Sequence, residues 1–472
     1  MVVSPPRDSR RQITLPGSSA CGRGQLLVKL CAFQEPLENH NGEGSVSATS
    51  PGDYDAYVRK NETWNFVVNI MDLTFYHLAT SFIFGSTILS LYTSHLTSSA
   101  ILIGLIPSIM KVAHFLPQLL LARQTERLPR KTPLVQWIGA LERLPYLFVA
   151  LSILLWPNAP ASVSFIVLAF GLALATGSGG VAAPPWTNML AKVIRVERRG
   201  LMFGLSHAIG GLLGIGGAAI SSRVLDTYPR PTSFGICFLF CFVSMAVSWI
   251  CLSLNREPAK TPAKVALAAR DYWRHLPGVL RGNPNFAKYL ASRAIIVLGT
   301  MGIPFYIVYG RHAFQMTDAF AGNLTMAALV GQTAGTPLLG WLADRRGHKW
   351  LIELSTLIGG CALALVLLAP SPAWFYAIFA LMNISVSGMS VAGMSMTMEF
   401  CDTDDLPTFA ALANSLLGVP LLLAPLLGGW LADVSGYPAL FAVALVFTGM
   451  GWASFHWAVR DPRHEQPAPS QP

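Results

Sequence analysis

The chain has 472 residues, of which 53% are hydrophobic and only 12% charged, and it carries a net charge of +9. Soluble domains carry roughly 25% charged residues, and a soluble chain of this length would fold as about three domains whose surface this composition cannot cover. A soluble enzyme, a disordered chain and a disulfide-stapled protein are therefore excluded, and the lipid bilayer is the expected solvent. The surplus of cations, 33 Lys and Arg against 24 Asp and Glu, reads as a membrane-orientation signal rather than a nucleic-acid-binding face.

Residues 1–62 are rich in Ser, Gly, Pro and charge, and their longest apolar run, Leu26 to Phe33, is interrupted by Lys29. A signal peptide needs about 7–15 uninterrupted apolar residues. A disordered cytoplasmic tail is expected instead, or a product of a start codon set too early. From Trp64 onward, apolar segments fall at 65–90, 99–121, 133–156, 161–183, 201–222, 233–254, 289–310, 321–341, 350–369, 374–397, 409–431 and 438–459. Each is long enough to cross about 30 Å of hydrocarbon. A polar stretch, 255–288, separates two groups of six, which places one group in 63–254 and the other in 289–460, with a short tail at 461–472. The run Lys264 to Leu280 within the central loop reads as an amphipathic surface helix.

Charge placement tests this division. With the N-terminus inside, 27 of the 33 Lys and Arg lie on the inner side, and only Arg223, Arg230 and Arg311 lie outside. The asymmetry follows the positive-inside rule and makes both termini cytoplasmic. The remaining three cations, Lys111, Arg143 and Arg293, fall inside spans. Of the seven cysteines, Cys237, Cys241, Cys251 and Cys361 lie in spans as small apolar filler. Cys237 and Cys241 share a helix face but have no His or carboxylate beside them, so no metal site is expected.

Between spans 8 and 9 the chain reads GWLADRRGHK, Gly340 to Lys349. This resembles the signature loop of the major facilitator superfamily of secondary transporters, Gly-x-Leu-Ala-Asp-Arg-x-Gly-Arg-Lys, with His348 in place of the usual Arg. The matching loop of the first half, ARQTERLPRK, is degenerate: at an offset of 218 residues Glu126 falls on Asp344, Arg127 on Arg345 and Lys131 on Lys349. APLLGGWLAD, Ala424 to Asp433, followed by GYPALF, is a further family-like feature. The resemblance implies an all-α membrane protein of twelve helices in two six-helix bundles. Helices 1, 4, 7 and 10 would line a central cavity, 2, 5, 8 and 11 would join the halves, and 3, 6, 9 and 12 would face lipid.

It also implies a cytoplasmic gate. Gly340 would allow close helix approach, Asp344 would face the positive start of span 5 near Gly200, and Arg345, Arg346, Gly347 and Lys349 would form the tight loop. Arg123, Arg127, Arg130 and Lys131 would pair with Asp402, Asp404 and Asp405 when the cytoplasmic side is closed. The glycines of span 5, Gly210 to Gly217, and of span 8, Gly331 and Gly335, offer small-residue faces for helix contact. Span 5 lacks the Pro of the drug/proton antiporter signature.

Ionisable residues inside spans are costly, at roughly 2.5–3.5 kcal/mol each on insertion scales, and need a reason. In span 1, Asn69, Asp72, Tyr76 and Thr80 form one polar stripe, and Thr74, His77 and Ser81 form a second. Span 2 carries Lys111 and His114, and span 3 carries adjacent Glu142 and Arg143. Because adjacent side chains point about 100° apart, at least one of that pair must find a partner on another helix. Asp72 is either a proton carrier or a packing residue permanently paired with Lys111. In the second half, Arg293 either binds an anionic substrate or snorkels to the interface, and Glu353 is expected to reach the surface. Tyr306, Tyr309 and Asn383 are cavity candidates. Methionines of span 10 either re-pack around apolar ligands or simply fill space.

The expected function is secondary active transport of a small solute through the cell membrane, with H+ as coupling ion and no cofactor, by a monomer. Efflux of amphipathic compounds and uptake of a sugar or organic anion both remain open, as does a transporter-like solute sensor. No phosphate-binding Lys loop, HExxH or GxSxG arrangement supports direct ATP coupling or an enzyme.

Overall fold

The computed structural model describes residues 51–126, 129–259, 278–401 and 406–464. The tail 1–50, Arg127, the amphipathic run up to 277 and the acidic Asp402, Asp404 and Asp405 lie outside the described residues, as do the side chains of Arg123 and Glu126. The described chain is helical throughout, with no strand among its described residues. Residues 51–62, expected as tail, are instead the first turns of α1, Pro51–Phe82. They are held there because Glu62 meets Arg195 at 2.8 Å and Asn61 meets Arg256 at 3.1 Å.

Beyond α1 the first half runs through a π-turn, Gly85–Leu89, into α2 (Ser90–Leu96), then α3 (Ala100–Glu126), α4 (Thr132–Leu155), α5 (Ala161–Val193), α6 (Val196–Thr227) and α7 (Thr232–Ser253). The second half runs through α8 (Pro284–Gly299), a 3-10 segment (Thr300–Phe305), α9 (Tyr306–Phe314), α10 (Asp318–Arg346), α11 (His348–Leu368), α12 (Trp374–Met398) and α13 (Leu406–Ala458). Gly347 ends α10 at φ 95°, and Gly436 breaks α13 at φ 82°; side chains rarely adopt such angles, so the final Gly of the signature is a helix stop.

Ten of these elements are long and apolar enough to cross a membrane, where twelve spans were expected. Two causes account for the difference. Asp318–Arg346 is diluted by polar residues such as Asn323, Thr325 and Gln332, and 408–458 is a single 51-residue stretch interrupted only at Gly436.

Burial is distributed as a bilayer requires. Phe234, Phe238, Phe305, Phe375, Phe379 and Phe441 are almost wholly buried, whereas Trp137, Phe148, Phe170 and Trp457 are 71%, 62%, 69% and 78% exposed. Outward apolar surface of that extent suits hydrocarbon rather than water. Within the first half α1 packs on α6 and α7, and α5 on α3 and α4. Across the halves, α6 packs on α10 and α3 packs on α13, the helices that the family resemblance implies at that contact. The interior prolines, such as Pro107, Pro145 and Pro337, are tolerated because neighbouring helices re-satisfy freed backbone groups.

Candidate functional site

The polar stripe of α1 meets its partners inside the first half. Asp72 is 4% exposed, and its Oδ1 accepts a hydrogen bond from Ser248 Oγ of α7 at 2.6 Å. Arg143 Nη2 lies 3.8 Å from the same oxygen and donates to Ser248 Oγ at 3.0 Å. The rest of the Arg143 guanidinium is satisfied as well. Nε donates to the Met245 carbonyl at 3.0 Å, and Nη1 donates to the Gly139 carbonyl at 2.9 Å and to Glu142 Oε2 at 3.1 Å. Tyr76 OH closes the chain by donating to Glu142 Oε1 at 3.2 Å.

Arg143 finds partners on another helix, Met245 and Ser248 of α7, as its adjacency to Glu142 requires, and its long guanidinium also folds back over Gly139 to touch Glu142. One expectation is corrected. Asp72 is not paired with Lys111. Lys111 is exposed and, among the described residues, has no hydrogen-bond or ion-pair partner. The reason is helix facing: one turn before it on α3, Ser108 Oγ donates to the Leu422 carbonyl of α13 at 2.8 Å, so that side of α3 is turned toward the second half and away from α1.

His77 leaves the stripe and faces α6, where its ring lies 4.5 Å from His207. His207 was not singled out from sequence, although it is the one ionisable side chain in the glycine-rich middle of that helix. Tyr306 and Asn383 are 3% and 5% exposed. Tyr306 sits edge-on to Phe379 and Phe441, and the Asn383 amide donates to the Phe379 carbonyl of its own helix at 2.9 Å. Both belong to the core of the second half rather than to an open cavity. Arg293 does not snorkel: its Nε and Nη1 are buried and have no hydrogen-bond partner.

The halves join at one end. Among the described residues, hydrogen bonds and ion pairs between them fall from mid-helix to the end carrying residues 95–101, 230, 318 and 433. His95 Nε2 lies 3.1 Å from Asp318 Oδ1, and Arg230 Nε lies 3.1 Å from Asp318 Oδ2. Arg311 Nη1 donates to His95 Nδ1 at 3.1 Å. Asp433 accepts from the backbone N–H groups of Ala100 at 2.6 Å and Ile101 at 3.0 Å, and from Ser99 Oγ at 2.8 Å. A carboxylate of the second half thus caps the start of α3 in the first, where the helix dipole favours it. Thr87 of the π-turn bonds Thr325, and the π-turn packs on the 3-10 segment.

At the other end, the ion pairs among the described residues stay within each half. Glu257 binds Lys192 at 2.8 Å and caps α4 through the N–H groups of Lys131 and Thr132, both at 2.7 Å. Arg198 lies 3.3 Å from Glu62. His348, the departure from the signature, lies 2.7 Å from both Glu399 and Arg463. Lys349 and His456 lie 3.6 and 3.2 Å from Glu353, which is therefore held rather than free at the surface. Arg345 and Arg346 stack on Trp341 and Trp350 at 4.0 and 4.8 Å. Asp344 is exposed and makes no pair among the described residues, and a Cβ at Gly340 would meet open space. The close approach expected at Gly340 is thus absent in this conformation, because the helix ends stand apart there.

The family model of the Major Facilitator Superfamily matches residues 73–310 and 290–472. The chain belongs to the major facilitator superfamily. It is a multi-pass membrane protein of that family, whose transporters bind small molecules within the membrane. It is 24% identical over 142 residues to the niacin transporter NiaP of Acinetobacter baylyi, a match covering 28% of this chain and 32% of that one. It is 31% identical over 135 residues to the chloramphenicol resistance protein CraA of Acinetobacter baumannii, again covering 28% and 32%. The chain thus spans about a third of the length of the curated relatives it matches. Among solved structures, a D-xylose-proton symporter superposes with a TM-score of 0.64 at 14% identity, covering 85% of this chain and 99% of that one. The nucleoside transporter NupG gives 0.58 at 12%, covering 83% and 98%. Identity that low establishes a shared superfamily fold.

Sequence reasoning missed the contacts of Asp433, Ser248 and Glu257 and the paired helix interruptions at Gly85–Leu89 and Thr300–Phe305. The signals were present. The 218-residue offset that aligns the signature loops also sets Gly85 on Ile303, between Gly302 and Pro304. Interrupted helices at corresponding positions of two repeats are a pointer to the working centre of a transporter.

Proposed function

We propose that this protein is a secondary active transporter that exposes a small solute alternately to the two sides of a cell membrane, driven by protons. The one-ended junction carries this reading: the halves are latched by Asp318 and Asp433 at one end, while Asp344 and Gly340 stand free at the other. That is the arrangement of a transporter open to the signature-loop side. In the same reading α10 is a span and α13 is two, making twelve in two bundles. Both termini and the open end then face the cytoplasm of a plasma or inner membrane. Both latches lie in one chain, so a monomer suffices.

Proton coupling is supported by charge counting. Asp72 and Glu142 share one buried guanidinium, Arg143, which leaves one negative charge uncompensated in a low-dielectric interior when both are ionised. A proton on the pair removes that cost. Names of relatives suggest the solutes to try first: an aromatic carboxylate such as niacin, and an amphipathic drug such as chloramphenicol. The test is a solute panel on proteoliposomes with and without an imposed pH gradient. Gradient-driven accumulation by wild type, with Asp72→Asn retaining only downhill exchange, is the expected result. Accumulation by Asp72→Asn equal to wild type would remove the coupling role.

A further inference from the structure

Two arginines stand among the packed helices, Arg143 buried and Arg293 half-buried, and only Arg143 has its hydrogen bonds. Arg143 spends its donors on Met245, Gly139, Glu142 and Ser248. Arg293 lies nine residues into α8, about 14 Å along the helix from Pro284, and its Nε and Nη1 are buried without any partner. No carboxylate pairs with it among the described residues. Its guanidinium lies against a glycine. A Cβ at Gly393 of α12 would stand 3.1 Å from both Nη1 and Nη2, so any larger residue there would crowd the fork. Tyr289, one turn earlier, presents its ring 5.9 Å from the guanidinium carbon and donates its hydroxyl to the Gly393 carbonyl at 3.1 Å. Buried donors left unspent on a cation are unfavourable unless an acceptor arrives to meet them, and an anion is the strongest. Guanidinium is the side chain best suited to carboxylate and phosphate oxygens.

We propose that Arg293 anchors the anionic group, carboxylate or phosphate, of the transported solute between α8 and α12. This rests on the transporter reading above and adds the chemical class of the substrate. Gly393 keeps the seat open, and Tyr289 holds α12 at the right distance through its hydroxyl. Among the described residues the first half, with its saturated Arg143, offers no second arginine of this kind.

The test uses the full chain in nanodiscs, with thermal unfolding followed as benzoate or phenyl phosphate is added. Benzamide serves as the neutral isostere and sodium chloride as the simple anion. One or both organic anions are expected to stabilise the wild type, and benzamide and chloride are not. Which of the two acts distinguishes carboxylate from phosphate. In Arg293→Gln the apparent affinity should fall roughly tenfold or more, the loss expected for a charged hydrogen bond, with Arg293→Lys between the two. Gly393→Ala keeps the charge but crowds the fork, and should weaken the same response. The proposal is overturned if neither anion stabilises the wild type, if benzamide or chloride does so equally, or if Arg293→Gln responds like wild type. If proteoliposomes of wild type and Arg293→Gln carry neutral members of the solute panel alike while the anions do nothing, transport stands and the anion seat falls.

Discussion

The same five residues, Gly-Trp-Leu-Ala-Asp, occur twice in the second half, at 340–344 and at 429–433, and the two copies are in opposite states. In the later copy the Asp433 carboxylate caps α3 of the other half, and Gly429 lies so close to that helix start that a Cβ would collide with the Ala100 carbonyl. In the earlier copy Asp344 is exposed and nothing approaches Gly340 within 4 Å. The element opposite it is available: α6 begins at Val196 with no side-chain cap, and a Cβ at Gly200 or Gly204 would also meet open space. The same pentapeptide is thus engaged with the other half in one copy and unengaged, among the described residues, in the other. In the reading proposed above each copy is a latch, a glycine that permits contact beside a carboxylate that caps a helix of the other half, and the tilt of the halves sets which one is closed.

The comparison can be broken most forcefully at the glycines. Gly429→Val drives a side chain into the backbone of α3, and overpacking of that kind costs about 1–3 kcal/mol. It should open the outer end, seen as faster labelling of a cysteine placed at Ile103 in a background lacking the seven native cysteines. Gly340→Val should leave that labelling unchanged. Equal behaviour of the two valine variants would mean that the copies are not two versions of one device.

A smaller effect is expected from the carboxylates. Asp433→Asn weakens charge-assisted bonds at a helix start, worth up to about 1 kcal/mol for an exposed carboxylate. That corresponds to roughly a fivefold shift toward the outward-open form. Asp318→Asn removes the negative charge and one of the two acceptor oxygens that hold His95 and Arg230 and should shift the same equilibrium by about 1 kcal/mol, since Arg230 is partly solvated. Spin-label distances across the outer end would report both. The smallest effect is that of Asp344→Asn, which should leave the outer end as labile as in wild type while slowing return to the outward-facing form. A loosened outer end in that variant would contradict the assignment of Asp344 to the opposite gate.

Much of the fold is legible in the sequence because lipid imposes a simple code. Spans must be apolar over about 20 residues and cations collect on one side, so the helices announce themselves. The exceptions have physical causes. α10 carries enough Asn, Thr, Gln and Gly for interhelical contact to fall below the apolar threshold, and the N-terminal turns of α1 are polar because they dock on Arg195 and Arg256. The candidate site was less legible. Asp72 and Arg143 are visible as charges in spans, but their neutral partner Ser248 is one serine among several on α7. Lys111 appears equivalent to Asp72 in sequence, yet its helix is turned toward the other half.

By itself, the sequence determined the solvent, the helical class, the repeated signature and the short roster of misplaced charges, since each follows from composition or from spacing along one helix. Tertiary structure alone decided which of those charges are satisfied. Partners such as Asp72 with Ser248, or Asp433 with the start of α3, lie 176 and 333 residues apart. Rotation of a helix by a fraction of a turn changes which of them meet. For the same reason the two identical pentapeptides carry no mark of which is engaged, and nothing in the residues around Arg293 announces that its fork is left bare.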